Sequence, residues 1–136
     1  MAVKRQGRAL IDGEAEGEVL RVAAPLSFWG GVDPKSGRIT QPKHPDHQAC
    51  IADKILALPH IIGSSSSSTI LLELIHQGKA PRAILVGEPD AIIALGVLVA
   101  QEMNFGSLPI VHCPLEGLES GSRIAVRSGG IVEELA

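Results

Sequence analysis

The chain has 136 residues, of which 45% are hydrophobic and 20% are charged, and its formal net charge is −3. This size suits a single domain spanning residues 1–136, and the absence of a basic block, together with the few aromatic side chains, argues against a nucleic-acid partner. Because no apolar stretch is long enough to cross a bilayer and no signal peptide precedes the domain, we expect a cytoplasmic protein with no membrane partner.

The first half of the chain has the pattern of β-strands. Residues 8–11 are a candidate strand followed by a turn at Asp12-Gly13, and residues 18–23 alternate polar and apolar side chains as a half-buried strand does. Residues 38–40 are a further short candidate strand. A loop rich in Pro and His follows over residues 41–48.

The second half alternates short apolar runs with helical segments. The predicted elements are a strand at 55–58, a helix near 66–77, a strand at 83–86, a helix near 91–103, and strands at 108–111, 123–127 and 131–133. The middle of this series has the order of a βαβαβ unit, which forms a parallel sheet. We therefore predict an α/β fold of three layers, with a small parallel sheet, an antiparallel sheet and helices on one side.

The most unusual segment is Gly63 followed by five serines and Thr69, directly before an apolar run of helical length. One serine is enough to cap a helix, which is worth about 1 kcal/mol, so the run exceeds the structural need. The helix start would follow a buried strand, where α/β sheets place ligands, and its N–H groups would attract an anion. Capping alone and ligand binding remain the two interpretations at this point. A phosphate-binding P-loop is excluded because no Gly-Lys-Ser/Thr sequence is present.

Several histidines are candidates for chemistry. His44 and His47 flank Asp46, which allows a metal site, but a solvated or partner-facing loop is the favoured interpretation. His60 precedes the serine run and is a possible acid–base neighbour. The adjacent residues His112 and Cys113 would point to opposite faces of an extended chain, which argues against a catalytic dyad.

Two further features are candidates for a functional role, the two cysteines and the aromatic pair. Cys50 and Cys113 are too few to ligate a four-cysteine iron–sulfur cluster, and their separation favours free thiols, so we predict no metal site here. The segment Phe28-Trp29-Gly30-Gly31 is either an ordinary core turn or an interface anchor with close backbone contacts.

Taken together, the quoted segments resemble the small subunit of aconitase X. The resemblance rests on Leu26 to Pro34 with Gly37, His44-Pro45, Gly63 to Ser68, Ala80-Pro81 and Ile92 to Ala100. It implies a swivelling β/β/α domain that is inactive without a large catalytic subunit. That partner would carry the iron–sulfur cluster and most of the substrate contacts, and this chain would hold no cofactor.

The resemblance also implies a reaction and a set of roles. The activity would be that of a hydro-lyase on a small hydroxy acid, with Ser64 as the catalytic base. Gly63, Ser65 and Ser66 would bind the substrate. The segment Phe28, Trp29, Gly30 and Gly31 would contact the large subunit.

Two substrates are known in this family. The unbroken serine run and the Phe-Trp-Gly-Gly segment are similar to bacterial members that act on cis-3-hydroxy-L-proline, which we favour over mevalonate 5-phosphate. Ile61 and Ile62 stand where many relatives have a basic residue and a glycine.

Two alternative functions belong to other classes. A non-catalytic domain that binds an anion and a partner remains an alternative. A freestanding serine hydrolase is disfavoured, since Gly63-Ser64-Ser65 does not form a Gly-x-Ser-x-Gly elbow.

Overall fold

A computed structural model describes residues 4–63 and 65–135. Within these ranges the chain forms ten strands and two helices. They are β1 (Lys4–Gln6), β2 (Arg8–Ile11), β3 (Ala15–Arg21), β4 (Leu26–Ser27), β5 (Ile55–Leu58), β6 (Ile61–Ile62), α1 (Ser65–Gln77), β7 (Ala83–Val86), α2 (Ala91–Glu102), β8 (Ile110–His112), β9 (Arg123–Arg127) and β10 (Ile131–Glu134). Neither helix has the length and apolar character that a crossing of the bilayer needs.

Eight of the described strands form one sheet in the order β1-β10-β9-β3-β5-β7-β8-β2. Residues 15–18 of β3 pair antiparallel with β9, and residues 19–21 pair parallel with β5. The strand β3 therefore joins an antiparallel half, β1-β10-β9-β3, to a half in which β3, β5, β7 and β8 are parallel. The edge strand β2 pairs antiparallel with β8.

The sheet closes on itself at Gly7. This residue separates β1 from β2, which pair with strands at opposite ends of the order, and its N–H donates to the Gly130 carbonyl at 2.8 Å. A Cβ at this position would lie 2.5 Å from Cγ1 of Val111 and 2.9 Å from Cβ of Cys113. Only glycine lets the chain pass from one half of the sheet to the other here.

Two cores result from the alternation of side chains along the central strands. Ile55 and Ala57 of β5 face the core between the two halves of the sheet. Leu56 and Leu58 face the other core, which is shared with both helices. All four residues of β5 are buried, as expected for a strand covered on both faces. The order antiparallel sheet, parallel sheet, helices confirms the predicted three-layer α/β fold.

Most predicted elements are confirmed, with shifted ends for some. The strand predicted at 18–23 occupies 15–21, and the one predicted at 108–111 occupies 110–112. The strand predicted at 38–40 is wrong, because that segment makes only the isolated bridges Val32↔Ile39 and Arg38↔Cys50. A two-stranded parallel sheet, β4 with β6, was not predicted.

Candidate functional site

The small sheet of β4 and β6 brings two distant sequence motifs together. Leu26 pairs with Ile61 and Ser27 pairs with Ile62, in parallel. Because the strands run in the same direction, the segments that follow them leave at the same end. The aromatic–glycine segment 28–31 and the glycine–serine segment 63–68 therefore start side by side.

The serines of the run occupy different environments. Ser64, the predicted base, lies outside the described residues, and α1 begins at Ser65. Ser65 is exposed, Ser66 and Ser68 are half-buried, and Ser67 is buried. The run is therefore not one uniform hydroxyl surface.

Two hydroxyls of the run have defined acceptors. The Oγ of Ser67 donates to the Ile62 carbonyl at 3.2 Å. The Oγ of Ser68 donates to the Ser65 carbonyl at 2.6 Å, within the helix. These two side chains stabilise the local structure and are not directed towards a ligand.

Gly63 has a conformation that few other residues adopt. Its φ is +126°, and an added Cβ would lie 2.7 Å from Oγ of Ser67. The backbone conformation therefore favours glycine at the entry to α1, and a Cβ there would force the Ser67 hydroxyl to move. The residue is exposed.

The two aromatic neighbours Phe28 and Trp29 differ in burial. Trp29 is 65% exposed, as an interface anchor would be. Phe28 is fully buried in the core shared with the helices, so of this pair only Trp29 offers its side chain to a partner, and the partner contact of the segment stays a prediction. Gly30 has a φ of +76° and open space around it, whereas a Cβ at Gly31 would collide with the Ser27 carbonyl.

The histidine loop supports the aromatic turn. His44 is buried, and its Nδ1 accepts the Asp46 N–H at 2.9 Å, so Nε2 carries the ring proton and donates to the Ala24 carbonyl at 3.3 Å. The interpretation of a solvated loop is therefore wrong for His44. Across the described ranges, no group of three His, Cys, Asp or Glu is placed to hold a metal ion. The loop also places Oε1 of Gln41 3.0 Å from the Ser27 N–H.

A cavity of about 750 Å³ opens at the carboxyl ends of the parallel strands. Arg21 ends β3, Pro59 follows β5 and His112 ends β8, and all three line the cavity. Nε2 of His112 lies 3.2 Å from the Gly87 carbonyl. From the sequence, His112 was considered only together with Cys113, and Arg21 and Pro59 were not singled out, although comparison of the ends of the predicted strands could have grouped the three. The described lining includes no residue of the serine run.

The thiol next to His112 is not activated. Cys113 is buried in the core between the two halves of the sheet, and burial raises the pKa of its thiol. The thiolate is the nucleophilic form, so this residue stays protonated and unreactive near neutral pH. The structure agrees with the sequence argument against a His112–Cys113 dyad.

Comparison with known proteins gives consistent matches over the chain. A family model for the aconitase X swivel domain matches residues 4–134. A cis-3-hydroxy-L-proline dehydratase of Pseudomonas aeruginosa is 48% identical over 103 residues, which are 76% of this chain and 18% of that protein. A phosphomevalonate dehydratase small subunit of Thermococcus onnurineus is 39% identical over 133 residues, which are 96% of this chain and 98% of that subunit.

Structural comparison agrees with these matches. A crystal structure of Thermococcus kodakaraensis aconitase X in its holo-form superposes with a TM-score of 0.89 at 37% identity, covering 98% of this chain and 99% of that chain. This chain therefore spans a small part of one relative, 18% of the hydroxyproline dehydratase, and nearly all of another, 98% of the small subunit.

Proposed function

The chain belongs to the aconitase X swivel-domain family, and we propose that it is the small subunit of a heteromeric hydro-lyase. The active site would form where the entry to α1 meets a large catalytic subunit. The observation that carries this proposal is the β4–β6 pair, because it starts the glycine–serine segment and the exposed Trp29 at the same end of one sheet. This common starting point supports a role for the two segments in one shared site.

We propose Ser64 as the base of the dehydration. As the alkoxide it would take the proton from the carbon acid, the C–H electron pair would form the double bond, and the C–O bond on the neighbouring carbon would break. The departing hydroxide would take up the proton now held by Ser64, so that water leaves and the alkoxide is restored. A serine alkoxide is very unfavourable in water, so it needs backbone N–H groups and the positive end of a helix dipole. The position of Ser64 between Gly63 and the start of α1 supports this role, and Ser65 and Ser66 would bind the substrate.

We place the iron–sulfur cluster in the large subunit. Within the described ranges, Cys113 is buried in the core between the halves of the sheet, and the Sγ of Cys50 faces the Ser36 carbonyl at 3.6 Å. The two thiols belong to no group of three metal-binding side chains there. The residues present therefore do not fit a cluster, and we assign this chain no part in holding one.

We favour cis-3-hydroxy-L-proline as the substrate, on the unbroken serine run and the Phe-Trp-Gly-Gly segment. A second candidate is mevalonate 5-phosphate, which is favoured by the relatives that match this chain from end to end and are named phosphomevalonate dehydratase small subunits. Turnover of each compound by the complete complex distinguishes the two.

The test of the base is Ser64→Ala in the complex with the large subunit. Loss of a general base costs about 10²- to 10⁴-fold in rate, so kcat should fall by at least about 10²-fold. Full activity would show that Ser64 is not the base. A raised KM with unchanged kcat would instead support the alternative of an anion-binding domain without a catalytic role.

The test of the interface is Trp29→Ala. We expect weaker assembly with the large subunit, because exposed aromatic anchors contribute most of the binding energy at interfaces. Leu98, a similarly apolar and exposed residue on α2, provides the comparison. Weaker assembly in Leu98→Ala and normal assembly in Trp29→Ala would place the interface on the helix and contradict the proposal.

A further inference from the structure

Ser67 differs in burial from the other described serines of the run. It is 2% exposed, whereas Ser65 is exposed and Ser66 and Ser68 are half-buried. A serine that serves its own helix bonds within it, as the Ser68 hydroxyl does. The Ser67 hydroxyl instead donates to the carbonyl of Ile62, which belongs to β6. The bond therefore ties α1 to the strand that precedes it.

The proposed base, Ser64, lies in the sequence between the two residues that this bond joins. Ile62 and Ser67 are the ends of a stretch that contains residues 63–66, including Ser64. One end is held by the small sheet, because Ile62 pairs in register with Ser27. The other end is held by the helix. The hydroxyl of Ser67 thus fixes the two ends relative to each other.

Gly63 packs against the same hydroxyl. A Cβ at position 63 would lie 2.7 Å from Oγ of Ser67, which is closer than ordinary contact. A side chain there would displace the hydroxyl from the Ile62 carbonyl. Gly63 and Ser67 therefore pack directly against each other at the entry to α1, and the side chain at one position limits which side chains fit at the other.

We infer that Ser67 is a positioning residue for the dehydration, an inference that rests on the proposed role of Ser64. Its hydroxyl acts through the Ile62 carbonyl by fixing β6 and the start of α1, the described elements on either side of the proposed base in the sequence, relative to each other. A general base must lie within hydrogen-bond reach of the proton it takes, and a misplacement on the order of 1 Å can cost about 10²-fold in rate. Loss of the hydroxyl should therefore lower kcat more than it raises KM.

The test compares Ser67→Ala with Ser68→Ala in the complete complex with the large subunit. Each variant removes one hydroxyl from adjacent positions of one helix, and of these two hydroxyls only that of Ser67 reaches the strand. We expect kcat per assembled complex to fall about tenfold or more in Ser67→Ala and to stay within about twofold in Ser68→Ala. Ser67→Thr keeps a hydroxyl and should recover most of the loss. Wild-type kcat in Ser67→Ala, or equal losses in the two alanine variants, would overturn the inference.

A double-mutant cycle with Gly63→Ala tests the shared contact. The Cβ introduced at position 63 competes with Oγ of Ser67 for the same space, so removal of that hydroxyl should relieve part of the damage. The loss of kcat in the double variant should therefore be smaller than the product of the two single losses. Independent, multiplicative losses would refute a shared contact.

These outcomes are separable from those of the proposed function. A fully active Ser64→Ala complex removes the base assignment and the positioning role with it. An inactive Ser64→Ala complex beside a fully active Ser67→Ala complex leaves the base in place and removes the positioning role alone.

Discussion

The starts of the two helices present the same kind of backbone N–H groups but have different side chains near them. At α2, Oδ1 of Asp90 accepts the N–H groups of Ile92 and Ile93 at 2.9 and 3.0 Å. At α1, the first four residues, Ser65 to Ser68, carry no carboxylate. The positive end of a helix dipole attracts negative charge, and at α2 the chain supplies that charge itself.

This difference separates a helix start whose charge is supplied within the fold from the helix start to which the proposed function assigns the substrate anion. Each helix connects two strands of the parallel half, α1 between β5 and β7 with the short strand β6 before it, and α2 between β7 and β8. Both therefore belong to the kind of connection that borders ligand sites in open α/β sheets. The side chain that precedes or opens each helix is what differs.

The largest change in stability is expected where the two helices touch. Gly96 of α2 faces the backbone of Ser68, and an added Cβ would lie 2.5 Å from the Ser68 carbonyl oxygen. Gly96→Ala should therefore force the start of α1 away from α2 and lower the free energy of unfolding by about 1–3 kcal/mol, although alanine favours helix. Urea unfolding of the purified chain measures this change.

The adjacent exposed position gives the control for that variant. Leu95→Ala changes the outer surface of α2 and should alter stability by less than about 0.5 kcal/mol. A Gly96→Ala chain that is more stable than the wild type, as an unhindered helical Gly→Ala would be, would show that the helices do not touch at this position.

The second largest change in stability is expected from loss of the Asp90 carboxylate, which caps the start of α2. Asp90→Ala removes the acceptor for two N–H groups and should destabilise the chain by about 1 kcal/mol. Asp90→Asn retains a capping oxygen and should lose less. Because this helix start is completed internally, kcat per assembled complex should be unchanged in both variants. A fall in kcat that matches the one in Ser64→Ala would mean that both helix starts serve the reaction.

The sequence predicted best the elements whose signal is local. The strands β5 and β7 are four-residue apolar runs buried on both faces, and their bounds are as predicted. Asp90 marks the start of α2 by capping chemistry alone. In these places the neighbouring residues carry all the information, so no knowledge of the tertiary structure is needed.

What was missed depends on contacts between distant residues. The strands β4 and β6 have two residues each, too few for any periodicity, and they exist because they pair with each other. Phe28 and Trp29 are neighbours of similar character, and only tertiary packing buries one and exposes the other. The composition around His44 indicates a loop, and the burial of its ring follows from its bonds to Ala24 and Asp46.

The smallest expected change in stability comes from giving α1 the charge that α2 already has. Ser65→Asp places a carboxylate in the first turn, where the helix dipole should stabilise the chain by about 0.3–1 kcal/mol. The same carboxylate should repel the carboxylate or phosphate of the substrate and raise KM in the complete complex. Thermal unfolding and steady-state kinetics measure the two effects, and Ser65→Asn is the neutral control of the same size.

The opposite signs of these two effects make the variant informative. If the start of α1 received no anion, the added charge would stabilise the chain and KM would match that of Ser65→Asn. If the start of α1 does receive the substrate anion, the added carboxylate stabilises the free chain but competes with the substrate. The more stable variant is then the poorer enzyme. Salt should reduce the difference in KM between Ser65→Asp and Ser65→Asn, because the repulsion is electrostatic and is screened over about 10 Å at 0.1 M ionic strength.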